Sequence, residues 1–259
     1  MSEFKEITSR ENSLIKLISE LQRSAKKRQE TGLFVLEGLR ISKDAFDNGI
    51  MFDKLIVSKT AKEKYLDEIN AFAEKSSELF SLPDSLFKKI SETETPQGII
   101  AVAVKPENKS VDFKNGRFIA LENLQDPSNL GAIARSCEAL GVDGILVSKG
   151  SCDPYSPKSL RASMGTLLRI PVILLDDFIN DIKNYGLKTF ACVVDSNTLP
   201  ITQATFCDGC VVLIGNEANG LTTTTVDKSD FAVTIPMKGN AESLNASVAA
   251  AIAAWEMLK

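Results

Sequence analysis

Asn129 and Arg135 stand at the two ends of the run NLGAIAR, where an ordinary helix would only be burying a face. Two further segments put polar and small side chains in unusual company. In LIGNEANGL, residues 213–221, an apolar run ends in Gly215, Asn216, Glu217 and Gly220. In TIPMKGNAESLNAS, residues 234–247, Ser243 and Asn245 follow a second apolar run. Such residues can hold a polar ligand: a guanidinium binds phosphate or stabilises developing negative charge, and glycines let backbone groups come close. Histidine, the usual general base near neutral pH, is missing from the whole chain. Each segment also has a plainer reading. GNEANG could be a turn, Ser243 or Asn245 could cap the last helix, and Asn129 could cap a helix from Leu130 with Arg135 on its solvent face.

The elements around these segments favour convergence. RFIALENL, GILVS, PVILL, TFACVVDS, CVVLIGNE and FAVTIPM read as strands, separated by the helices LGAIARSCEALG, SPKSLRASMG and DFINDIKNYG and closed by ASVAAAIAAWEML. Continuous rather than alternating apolar strands imply burial on both faces, hence a largely parallel sheet covered by helices. Ligands in open α/β sheets sit beyond the carboxyl ends of the strands, and all three unusual segments follow strands of one sheet. The first part of the chain alternates in the same way. SLIKLISELQRSAKKRQETG reads as one helix stopped by Gly32, followed by LFVLEG, LRISKDAFDNG, KLIVS, KEKYLDEINAFAEKS, ELFSL, PDSLFKKIS and GIIAVAVK. PENKSVDFKNG, residues 106–116, is the best linker. The expected organisation is an α/β domain over 1–105, a linker over 106–116 and a second α/β domain over 117–259.

Composition narrows the class. With 44% hydrophobic and 25% charged residues the chain reads as a soluble globular protein. Its N-terminus is charged from the third residue, unlike a signal peptide, and its longest apolar run, ASVAAAIAAW, is too short to span a bilayer, so a cytoplasmic protein is expected. Five cysteines then suggest reduced thiols. The CDGC pair at 207–210 has neither a second pair nor a histidine to complete a metal site, and reads as a turn entering a strand. Net charge is −4, but residues 1–110 balance 18 cations against 18 acids, and the stretch from Lys16 to Arg28 is locally basic. Arg23, Lys26, Lys27 and Arg28 could meet phosphates, or could be a solvated helix face.

The three segments, in this order, are similar to the signature motifs of the SpoU, or TrmH-like, class of RNA ribose 2′-O-methyltransferases in the SPOUT superfamily. The motifs appear as NLGAIAR, LIGNEANGL and IPMKGNAESLNASVA; TPQGIIAV at 95–102 and FVLEGLRISKDA at 34–45 extend the resemblance over most of the chain. Motif three departs slightly, with Asn240, Ala241 and Glu242 before SLN and Ala246 after it. The resemblance implies an N-terminal RNA-binding domain, a trefoil-knotted C-terminal methyltransferase domain, S-adenosylmethionine as cofactor, no metal, and a homodimer whose active site draws on both subunits.

By motif position Gly215, Asn216, Ile235, Met237 and Leu244 are the cofactor residues implied, with Ser196 from the strand end VVDSN as an addition. Arg135 would bind the substrate phosphate and stabilise the developing alkoxide. Asn129 and Glu217 would orient it, and Ser243 and Asn245 would position the ribose. The separate N-terminal domain favours ribosomal RNA as substrate. Transfer RNA is the alternative, and a non-catalytic RNA-binding or ribosome-assembly protein of the same fold is the rival from another class.

Overall fold

A computed structural model of the chain describes residues 3–106 and 110–259. The chain divides into two units, Met1–Glu107 with Tyr155–Arg161, and Asn108–Pro154 with Ala162–Lys259. Of the segment read as linker, residues 107–109 lie outside the described residues. Its later part belongs to the second unit, where Phe113 stacks on Tyr185 with ring centroids 4.0 Å apart.

The first unit runs Lys5–Glu6 (β1), Ser13–Arg23 (α1), Ala25–Thr31 (α2), Leu33–Glu37 (β2), Leu39–Asp47 (α3), Phe52–Ser58 (β3), Lys59–Lys64 (α4), Leu66–Glu74 (α5), Ser76–Leu82 (β4), Asp84–Ile90 (α6) and Ile99–Val104 (β5). Its sheet has the order β1-β4-β3-β5-β2, with β5 antiparallel to both neighbours and the other pairs parallel. The apolar stripe of α1, Leu14, Ile15, Ile18 and Leu21, packs with α6 residues Leu86, Phe87 and Ile90 over Val35, Ile56 and Ile100.

The single helix expected over 13–32 is two. Ser24 leaves helical geometry at φ −113°, and its N–H closes α1 on the Glu20 carbonyl at 2.9 Å. The Ser24 hydroxyl then caps α2 by accepting from Lys27 N at 3.2 Å, the side-chain-to-backbone competition for which serine is suited. This break corrects the basic patch. Arg28 is only 3% exposed, and its guanidinium donates to the carbonyls of Leu21 and, at 3.2 Å, Gln22, groups left open at the end of α1. Arg28 is therefore a helix-end residue and not a phosphate ligand, and Lys27 is held by Glu20 at 2.9 Å. Arg23 and Lys26 stay exposed.

Arg28→Ala should destabilise the protein by about 1–3 kcal/mol, the usual cost of stranding buried acceptors. A fall in Tm, with RNA affinity of the folded protein unchanged, is the expected result. An unchanged Tm with weakened RNA binding would restore the phosphate role.

After β5 the chain runs Arg117–Leu121 (β6), Pro127–Leu140 (α7), Gly144–Ser148 (β7), Pro157–Ala162 (α8), Val172–Leu175 (β8), Phe178–Asn184 (α9), Lys188–Cys192 (β9), Leu199–Pro200 (β10), Cys210–Ile214 (β11), Thr223–Lys228 (α10), Phe231–Thr234 (β12) and Ala246–Leu258 (α11), and all of these but α8, which clusters with the first unit up to Arg161, belong to the second unit. All seven strands are parallel, in the order β10-β12-β9-β11-β6-β7-β8. Alternate residues explain the continuous apolar runs. Phe118, Ala120, Val211 and Leu213 join the cluster around α9, whereas α7 and α11 cover the opposite face. The chain leaves β6 for β7 and β8 on one side and returns through β9 and β11 on the other. The carboxyl ends of β6 and β11 therefore lie side by side where the strand order reverses, the usual ligand position of such sheets.

Candidate functional site

Beside that point, at the carboxyl ends of β9 and β11, lies a cavity of about 450 Å³, within the range of about 300–1,000 Å³ common for small-molecule sites. Its walls come from three segments: Cys192 to Val194 at the end of β9, Ile214 to Leu221 at the end of β11, and residues between Ile235 and Ala249 around the entry to α11. Gly215, Asn216, Glu217, Ile235, Met237, Ser243 and Leu244 all line it. Ile214, Ile235, Met237, Leu244 and Ala249 form apolar surface beside the polar turn 216–220, a combination suited to a nucleoside with a charged tail.

The turn is built tightly. Asn216 and Gly220 exchange backbone hydrogen bonds at 3.0 and 2.9 Å, and Asn216 Oδ1 accepts from Ala218 N and Asn219 N. Asn216 Nδ2 donates to the Asn123 carbonyl at 2.8 Å. Asn216 thus lines the cavity while its side-chain amide holds the turn. Gly215 is required sterically, because a Cβ there would come within 2.1 Å of the Gly220 carbonyl carbon.

One chain of hydrogen bonds joins the three motifs. Glu217 accepts from Asn129 Nδ2 at 3.0 Å and from the backbone amides of Gln125 and Asp126 at 3.1 and 3.0 Å. Asn129 Oδ1 accepts from Asn245 Nδ2 at 3.0 Å, and Asn245 Oδ1 accepts from Ser247 N at 2.9 Å. Asn245 therefore both caps α11 and ties it to α7. Asn129 is not the cap of its helix. Asp126 is, accepting from Ser128 N at 2.8 Å, so Asn129 lies in the first turn, buried against its two partners. Partial burial pushes the Glu217 pKa upward, yet the hydrogen bonds from Asn129 and the amides of Asp126, Glu217 and Gln125 outweigh it, and the net shift is downward. Glu217 is accordingly a fixed anion at neutral pH and a poor proton acceptor.

Two expected residues stand apart. Arg135 is exposed on α7, does not line the cavity, and among the described residues its side chain has neither an ion pair nor a hydrogen bond. It lies six positions beyond Asn129, which at 100° per residue turns it well away from the Asn129 face. Ser196 is exposed and also outside the cavity wall. The residues that line that side are Val193 and Val194, two apolar side chains at a strand end that the motif pattern does not mark. Burial pushes the cavity thiol Cys192 up to about 11, Cys137 to about 12 and Cys210 to about 11, so these thiols stay protonated.

Residues 116–255 match the SpoU rRNA Methylase family, and residues 12–101 match the MRM3-like substrate binding domain. The chain belongs to the SpoU rRNA methylase family. It is 30% identical over 256 residues to the 23S rRNA (guanosine(2553)-2′-O)-methyltransferase RlmP of Bacillus subtilis, covering 98% of this chain and 99% of that one. It is 28% identical to the 23S rRNA (uridine(2479)-2′-O)-methyltransferase of Streptomyces viridochromogenes, over 98% and 91% of the two chains. Among solved structures, an AdoMet-bound rRNA methyltransferase from Sinorhizobium meliloti superposes with a TM-score of 0.86 at 25% identity, covering 98% and 97% of the chains. As a SpoU protein the chain uses S-adenosylmethionine, and the cavity fits that molecule in size and in its mixture of apolar wall and polar turn.

Proposed function

We propose that this protein transfers the methyl group of S-adenosylmethionine to the 2′-hydroxyl of a ribose in ribosomal RNA. The observation that carries the reading is the convergence of the three motifs: two wall one cavity, and Asn129 of the third bonds both through Glu217 and Asn245. The full-length similarity to two 23S rRNA 2′-O-methyltransferases supports ribosomal RNA as the substrate.

Gly215, Ile235, Met237 and Leu244 would hold the cofactor, which when bound supplies an electrophilic sulfonium methyl group. Asn129, Asn245 and Glu217 keep the two cavity-lining segments in register with α7. Ser243 lines the cavity and would position the ribose. Arg135 would bind the phosphate next to the target ribose and stabilise the alkoxide as the 2′-hydroxyl loses its proton. A guanidinium without a partner among the described residues, on a helix that packs beside an α11 exposing Val248 and Trp255, supports a homodimer in which Arg135 serves a site shared between subunits. The insertion of β11 between β6 and β9 is consistent with a trefoil-knotted chain. Among the described residues no helix is long and apolar enough to cross a membrane, and we read the enzyme as cytoplasmic.

The substrate RNA would meet exposed cations of the first unit. Gln22 Nε2 donates to the Ile90 carbonyl at 2.9 Å, which brings the end of α1 beside the end of α6, where Lys88 and Lys89 are exposed like Arg23 and Lys26. Replacing these four by alanine should weaken RNA binding and flatten its salt dependence by about three units of slope. An unchanged slope would make the patch mere solvated surface.

The test of the reaction is a map of 2′-O-methyl groups in ribosomal and transfer RNA from cells with and without the gene. Loss of one methyl from ribosomal RNA, restored by the wild type and not by Arg135→Ala, is the expected result. A full set of methyls in the deletion, together with no affinity of the purified protein for S-adenosylmethionine, would overturn the enzyme reading.

A further inference from the structure

Glu122 is a buried carboxyl side chain, 6% exposed, that takes no part in the motif network. It follows β6, and its N–H donates to the carbonyl of Ile214, the last residue of β11, at 2.9 Å. Its side chain reaches across to the segment that leaves the cavity wall: Oε2 accepts from Thr222 N at 2.8 Å, and Oε1 accepts from Thr222 Oγ1 at 3.0 Å and from Thr225 Oγ1 at 2.6 Å. The next residue holds the other end. Asn123, in left-handed geometry at φ 54°, offers its carbonyl to Asn216 Nδ2 at 2.8 Å. The turn 216–221 is thus fixed at its start through Asn123, in its middle through Glu217, and at its exit through Glu122.

A role in helix formation alone does not account for Glu122. The Thr222 hydroxyl already caps α10 by accepting from Thr225 N at 3.2 Å, and this needs no carboxyl group. Burying a carboxyl group is costly unless its hydrogen bonds are met, and here all three donors belong to the segment just after Leu221, the last residue of the turn that lines the cavity.

We propose that Glu122 is a positioning residue for the cofactor cavity, holding the exit of the 216–221 turn at the depth at which its backbone meets the ligand. The inference rests on the proposed S-adenosylmethionine site. Thr222 and Thr225 are its partners in this role, and the effect is on affinity for the cofactor, not on the chemical step.

Glu122→Gln tests it, since glutamine keeps the size but loses the charge and one of the two acceptor oxygens. Two readouts on the full chain are needed, amide hydrogen exchange without ligand and calorimetric binding of S-adenosylmethionine. The expected result is faster exchange confined to residues 216–226, with β6, β7 and α7 unchanged, and cofactor affinity about tenfold weaker, equivalent to about 1.4 kcal/mol. Thr222→Val should reproduce both effects and Thr222→Ser, which keeps the hydroxyl, neither. Unchanged exchange at 216–226, exchange raised evenly across the second unit, or local loosening with wild-type affinity would each overturn the proposal. If wild-type protein itself binds no S-adenosylmethionine, the proposed function fails and the cofactor role of Glu122 with it. The exchange data would then report only whether Glu122 holds the turn.

Discussion

Gly215→Ala is expected to abolish cofactor binding, with affinity for S-adenosylmethionine lowered at least about a hundredfold, or about 2.7 kcal/mol. The added Cβ would lie 2.1 Å from the Gly220 carbonyl carbon, 2.2 Å from Leu221 N and 2.5 Å from the Gly220 oxygen. All three are backbone atoms, so no side chain can swing aside, and ordinary contact requires the turn to move by more than about 1 Å. That movement would break the paired hydrogen bonds between Asn216 and Gly220 and displace the polar wall of the cavity. Overpacking of this kind also costs about 1–3 kcal/mol of stability, so a lowered Tm should accompany the loss. Gly239→Ala is the matched control, because a Cβ there meets nothing within 4 Å. Calorimetry on both variants decides the point. Wild-type affinity in Gly215→Ala would mean that the cofactor does not rest on this turn.

Arg135→Ala should behave in the opposite manner, losing methyl transfer by about a hundredfold to a thousandfold while keeping cofactor affinity and Tm. Its side chain is exposed and without a partner among the described residues, so truncation removes no native contact, and surface changes of that type rarely exceed about 0.5 kcal/mol. It is also absent from the cavity wall, so direct binding of S-adenosylmethionine should not sense it. Arg135→Lys should recover only part of the activity, since a lysine supplies charge without the planar pair of donors. Single-turnover methylation of RNA alongside calorimetry separates the two quantities. Equal loss of both would remove the role assigned to Arg135 in the reaction.

These two expectations draw on different sources. The motif glycine and the motif arginine are visible in the sequence, but only the folded chain separates a residue that shapes the cavity from one that stands outside it. The same holds for the basic stretch. Arg23, Lys26, Lys27 and Arg28 are alike in sequence, and their fates part because Ser24 ends a helix whose open carbonyls then take the Arg28 guanidinium. Asn129 reads equally well as a cap, yet Asp126 takes that place and frees Asn129 to join Glu217 and Asn245.

By itself the sequence determined the parallel sheet, since strands buried on both faces must be apolar throughout, and it marked the three segments that follow them. Runs such as CVVLI and GILVS are patterns of neighbouring residues, set by local burial, and are legible for that reason. The site depends instead on partners 88, 100 and 116 positions apart, Asn129 with Glu217, Glu122 with Thr222 and Asn129 with Asn245. Which donor finds which acceptor at that range follows from the strand order that sets β6 beside β11, and the tertiary structure alone decided it.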